Sequence, residues 1–183
     1  MRRSGLAFLL AAPLAFVLIG CTDDPAPVAG VGTTEVPNAL GKPTVISFTA
    51  TESLVENISP GEAKFVGGRM IITGMVDVDR IVATSPYMDC LARITFNASF
   101  DANMEGPIHG KYILTPVPAG AFGGGIWEGT FTGYQSMTAP GESTVHGKQV
   151  GHGRGGTLEG MKHMVNSVYV DGVGSLTGEI TLH

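Results

Sequence analysis

Five histidines and one Gly-rich run are the residues of this chain whose types and spacing invite a chemical reading. His109, His146 and the intervening Glu128 would supply an N/N/O ligand set for a metal ion if their strands lay side by side. The spacing matches no metal motif, so surface histidines beside carboxylates are the expectation and no metal is assigned. Gly151-His152-Gly153-Arg154-Gly155-Gly156 satisfies G-x-G-x-x-G, with Asp171 twenty residues after Gly151. That pattern binds dinucleotides only between a buried parallel strand and a helix. The preceding His146-Gly147-Lys148-Gln149 is too polar for such a strand. A hairpin loop is expected there, and no cofactor. There is no G-x-S-x-G and no H-E-x-x-H, so nothing argues positively for an enzyme. Cys90, in Met88-Asp89-Cys90-Leu91, reads as a buried inert thiol, since no base can be placed beside it.

The elements that would position these residues follow from one recurring unit: bulky apolar, polar, Gly, any residue, then usually bulky apolar. Trp127-Glu128-Gly129-Thr130-Phe131 is the clearest copy. Ile72 to Val76, Ile108 to Tyr112, Val145 to Gln149, Leu158 to Lys162 and Leu176 to Ile180 repeat it, and Phe96 to Phe100 has Ala in place of Gly. In a strand, alternate residues share a face. The bulky positions and the small residue therefore point inward, and Asn97, Ser99, His109, Lys111, Glu128, Thr130, His146 and Lys148 point outward. A mid-strand Gly weakens an isolated strand but suits a sheet that bends or receives a neighbouring group. A Gly at the same place in strand after strand predicts a curled, closed sheet. Aromatic rings filling the Gly row are preferred over an open lumen, because small barrels are usually packed with side chains.

Taken in order, strands are expected over 43–50, 63–66, 69–79, 92–101, 108–115, the Trp127 segment, 143–150, 157–165, 168–170 and 174–182. Glu52 to Ile58 fits either a strand extension or a helical turn. Met70, Ile72, Val76 and Val78 are expected on one face. No long helix is found. The expectation is an all-β chain, a single antiparallel β-barrel of about eight strands, with a β-sandwich as the alternative. Glu128 is expected beside His109 and Lys111 or His146 and Lys148 on adjacent strands.

Ahead of this domain, Arg2 and Arg3 precede an apolar run from Leu6 to Ile19, and Leu18-Ile19-Gly20-Cys21 resembles the lipobox of bacterial lipoproteins. The resemblance implies a signal peptide over 1–20, a lipid on Cys21 and a membrane anchor in the cell envelope. Thr22 rather than Asp follows the Cys, which favours the outer membrane. Residues 21–42, with Pro25, Pro27 and Pro37, read as a tether, and 43–183 as the barrel domain. Without Arg2 and Arg3 the balance is 9 basic against 16 acidic residues, a charge of −7. With the basic residues scattered singly, this argues against nucleic acid as a partner. If Cys21 carries lipid, Cys90 has no partner and the fold rests on its core.

Trp127 to Phe131, the Gly-rich 150–156 stretch, Leu158-Glu159-Gly160 and Leu176 to Ile180 resemble the C-terminal half of allene-oxide-cyclase-like and dirigent-like barrels. That resemblance implies an eight-stranded antiparallel barrel with an apolar lumen. No catalytic residue of that group maps onto this chain. Two functions stay open. One is a non-enzymatic envelope lipoprotein that binds an apolar small molecule or a protein partner. The other is a small barrel enzyme acting on an apolar substrate in the lumen. Phe96, Tyr112, Trp127, Phe131 and Gln149 are the candidate lumenal contacts. Inward polar groups would favour the enzyme; Gln149 and Lys162 are the only ones that break the apolar inward pattern, and positions at strand ends in water are the preferred reading of both.

Overall fold

The computed structural model describes residues 43–182. Cys21, the leader and the tether lie outside them. Among the described residues nine strands form: β1 (Thr44–Ser59), β2 (Glu62–Val66), β3 (Arg69–Ala83), β4 (Cys90–Phe100), β5 (Gly106–Pro116), β6 (Ile126–Ala139), β7 (Glu142–Arg154), β8 (Lys162–Val170) and β9 (Val173–Leu182). All pairings are antiparallel, in the order β1-β9-β8-β7-β6-β5-β4-β3, and a β1–β3 pairing closes the ring. The result is a closed eight-stranded barrel with β2 paired on β3 outside it. Closure, rather than a sandwich, follows from the length of β1, which runs unbroken through Glu52 to Ser59. Its first half pairs β9 and its second half pairs β3.

The unit with a central glycine predicts the inward face correctly where the strand is regular. Along β6, Trp127 is fully buried while Glu128 and Thr130 are exposed. Gly110, Gly129 and Gly178 are each covered by a ring from a neighbouring strand, whereas Gly133 and Gly147 meet none and line the open part of the lumen. A Cβ on Gly129 would collide with the Tyr112 phenol, one on Gly110 would lie 2.7 Å from the Phe131 ring, and one on Gly178 would lie 2.8 Å from the Phe48 ring. The row of glycines is thus largely filled by aromatics, as close packing in a narrow barrel requires.

Two copies of the unit depart from expectation. In β3, Gly74 has φ +71° and marks a register shift between Ile72 and Met75. The bulge resets the alternation. Asp77, Asp79 and Ile81 then face the lumen, while Val76 and Val78 pair with the outward Thr95 and Arg93. The expected common face of Met70, Ile72, Val76 and Val78 is therefore corrected. Leu158 to Lys162 is not a strand either. Residues Gly156–Leu158 form a 3₁₀ turn, Gly160 has φ +81°, and β8 starts at Lys162. The phase of β8 is thereby the reverse of that expected. Lys162 is exposed, and His163, Val165 and Ser167 are buried. The Gly-rich run is likewise strand up to Arg154, and only Gly155 and Gly156 turn the chain.

Glu128 is outward as expected, but its neighbours differ. It pairs with Ile113 and His152, and its carboxylate lies 3.5 Å from Arg154. A register offset of a few residues, invisible to alternation alone, separates it from His109 and His146, which pair with Thr132 and with Tyr134 and Val168. With both partners about half exposed, such a pair is worth only ~0–1 kcal/mol.

One end of the barrel is closed by three short turns, Pro86–Met88, Ala121–Gly124 and Gly156–Leu158. Their Met88 and Leu158 are fully buried with Trp127, Leu114, Ile81, Leu176 and Ile180. Trp127 Nε1 donates to the Tyr87 carbonyl at 2.8 Å, and Tyr87 stacks on Phe122. Cys90 lies in this plug, fully buried and free. Burial, with Asp89 nearby, pushes its thiol up to about 12, which agrees with an inert core residue.

Candidate ligand site in the barrel lumen

Above the plug the side chains no longer fill the lumen. A cavity of about 290 Å³ reaches the other end of the barrel, where Leu54, Asp171 and Gly172 are exposed beside it. One wall is apolar: Ile94, Phe96, Ile108, Leu114, Phe131 and Val145. The other, from β1, β3, β7 and β8, is polar: Glu52, Asp77, Asp79, Gln149, Ser167 and Tyr169.

The polar wall is built by simple alternation. Phe48, Ala50 and Glu52 share the inward face of β1, and Glu52 is 1% exposed. In the β1–β3 register Glu52 opposes Ile81 and Leu54 opposes Asp79, so the two carboxyls are diagonal neighbours. Tyr169 donates to Glu52 Oε2 at 2.6 Å, and Gln149 Nε2 donates to the Tyr169 hydroxyl at 3.3 Å. Burial raises Glu52 to about 8, with Asp79 adding to the shift and Tyr169 opposing it. Burial also raises Asp79 above the usual carboxylate range, with the Glu52 carboxyl opposing the shift and Asp77 adding to it. Asp77 itself accepts from Asn57 Nδ2 at 2.5 Å. Asp79 Oδ1 and the Ser167 hydroxyl, both buried, have no hydrogen-bond partner.

A second polar pair lies at the base, where Tyr112 lines the cavity and His163 sits behind it. The Tyr112 hydroxyl and His163 Nε2 are 2.6 Å apart, and His163 Nδ1 has no partner. Burial, aided by His152, lowers His163 to about 4, so the ring is neutral at ordinary pH. The Trp127 ring meets it edge-on at a centroid distance of 4.8 Å.

Of the five candidate contacts, Phe96, Tyr112, Phe131 and Gln149 line the cavity, and Trp127 lies beneath it in the plug. Lys162 is outside. Sequence reasoning missed Glu52, Asp77, Asp79, His163, Ser167 and Tyr169. Extending the alternation of Phe48 and Ala50 by one step would have found Glu52. The others were hidden by the bulge at Gly74 and by the turn before β8. Among the described residues no three His, Cys, Asp or Glu side chains are grouped as metal ligands would be. Against known proteins, no family model, no curated protein and no solved structure matches the chain.

Proposed function

We propose that the chain is a cell-envelope lipoprotein, anchored through Cys21, whose barrel takes up a small and largely apolar molecule. One observation carries the binding reading: a cavity of about 290 Å³ with an apolar wall facing a short polar one. This is the make-up of small-ligand sites, at the lower end of their usual ~300–1,000 Å³. The uncharged probe N-phenyl-1-naphthylamine tests it, with the full-length protein in nonionic detergent and protein-free micelles as the blank. Saturable fluorescence enhancement is expected, and it is expected to be lost in Val145→Trp, which fills the lumen, but not in the outward control Val150→Trp. Equal enhancement in both variants would overturn the reading. The anchor is tested separately. Cys21→Ser should leave the protein unprocessed or unanchored, and normal processing and membrane fractionation would exclude the lipoprotein.

The polar wall supports a second reading, a small barrel enzyme in which Glu52 gives or takes a proton. A buried carboxyl raised to about 8 suits that role near neutral pH. Its signature would be carbon-bound deuterium appearing, in D₂O, in any small molecule extracted from the purified protein, and stopping with Glu52→Gln. Recovery of that molecule without deuterium leaves binding alone.

A further inference from the structure

We propose that the lumenal site selects a small organic cation, an apolar body bearing one ammonium group, held between the Phe96–Phe131 wall and the carboxyls of Glu52 and Asp79. The proposal rests on the lumenal-binding reading above and adds the charge of the ligand. Every ionisable side chain on the cavity wall apart from the two tyrosines is an acid: Glu52, Asp77, Asp79 and Asp171. No Lys, Arg or His lines it among the described residues. In a narrow lumen the charge of any ionised carboxyl is poorly screened, so a wall of four acids with no base favours a positive group and disfavours an anion.

The hydrogen bonding points the same way. Tyr169 occupies Glu52 Oε2 and Asn57 occupies one oxygen of Asp77, but Asp79 Oδ1 is buried with no donor. The Ser167 hydroxyl, 3% exposed on the same lumen, also lacks a partner. Buried polar atoms are rarely left unpaired. An ammonium carries three N–H donors and no acceptor, which suits an oxygen-lined wall short of donors. The groups facing Glu52 are Asp79 and Ile81 on β3, Gln149 on β7, Tyr169 on β8 and Gly174 on β9, and none of them is a cation. Phe96 and Phe131, with ring centroids 6.3 Å apart and edge to face, give the apolar body an aromatic wall to pack on. Glu52 holds its proton at neutral pH because burial and Asp79 disfavour its charge. A cation would supply the missing counter-charge, so binding should release a proton.

Three probes of one shape separate the terms: 1-naphthylmethylamine, 1-naphthylmethanol and 1-naphthoic acid. Their affinities for the full-length protein in nonionic detergent are measured by equilibrium dialysis at pH 7.5 against protein-free micelles. The amine is expected to bind at least ~10-fold more tightly than the alcohol, and the acid most weakly. The amine-to-alcohol ratio should fall to about one in Glu52→Gln with Asp79→Asn. If that variant does not fold, the order among the three probes on the wild type decides alone. An alcohol that binds as tightly as the amine would overturn charge selection while leaving lumenal binding intact. Failure of all three to exceed the blank would overturn both readings.

Discussion

Replacing Gly129 by Val puts the packing argument under its most direct strain. By intrinsic propensity Val is the better strand residue, so an argument from β6 alone expects stabilisation. In the barrel, a Cβ on Gly129 would fall within contact distance of the Tyr112 Oη and Cζ atoms and of the Val150 carbonyl. The Val150 carbonyl is backbone and cannot retreat. The phenol can move only by leaving His163, to which it is bonded at 2.6 Å. Overpacking of this kind costs ~1–3 kcal/mol, and stranding a buried hydrogen-bonded pair costs ~1–3 kcal/mol more. Because the two share one displacement, a total of about 2–5 kcal/mol is expected. For a domain of this size that corresponds to roughly 6–15 °C in Tm. The assay is thermal unfolding of Gly129→Val beside the exposed control Thr130→Val, which should be within ~0.5 kcal/mol of wild type. Repeating Gly129→Val in a Tyr112→Leu background should remove the share of the penalty that comes from the ring and leave the share that comes from the Val150 carbonyl. A neutral or stabilising Gly129→Val would refute the reasoning. It would mean that the floor of the lumen has spare volume, and that the Tyr112–His163 pair is not held where it is described.

Gly160 separates shape from backbone. Nothing lies within 4 Å of a Cβ there but φ is +81°, so Gly160→Ala should cost about 1–2 kcal/mol through its dihedral alone, and a cost independent of side-chain size across Ala, Ser and Leu would confirm it by denaturant titration. Stability should also vary with pH in a way assignable to two groups. Glu52, raised in the fold to about 8 from its usual 4.5, favours folding fully below 4.5 and loses that contribution as pH rises to 8. His163, lowered to about 4 from 6.5, contributes above 6.5 and loses it as pH falls to 4. The two slopes oppose each other between 4.5 and 6.5, so the urea midpoint should decline from pH 6.5 to 8, and Glu52→Gln should abolish that decline. A midpoint that rises over that interval would contradict the burial of Glu52. Cys90 should resist thiol reagents in the native protein and react on unfolding; rapid native labelling in a Cys21→Ser background would show that the plug opens.

How far the site was legible depends on where the alternation stayed in phase. Phe96, Tyr112, Phe131 and Gln149 sit on strands that run without interruption around their small residues, so period two places them inward without knowledge of any partner strand. Asp77, Asp79 and Ser167 sit just beyond irregularities. One positive-φ glycine at Gly74 and one turn at 155–161 each shift the phase, and a sequence cannot say whether such a glycine is a bulge or a close-approach site. The two kinds look alike as letters. They differ only in whether a ring from the next strand needs the space, as Tyr112 does at Gly129, or the backbone needs the dihedral, as at Gly74 and Gly160.

What the sequence determined by itself is the all-β character, the bending of the sheet implied by repeated small residues, and the outward position of most charges, because these follow from local alternation. Which residues oppose one another was decided only by the tertiary structure. Register made Arg154, not Lys111 or Lys148, the partner of Glu128, and it brought Glu52 diagonal to Asp79. The lumen's chemistry is a product of closure. Glu52 is an ordinary mid-strand carboxyl until β1 pairs with β3, and burial between those strands and Tyr169 is what turns it into a group that holds its proton at neutral pH.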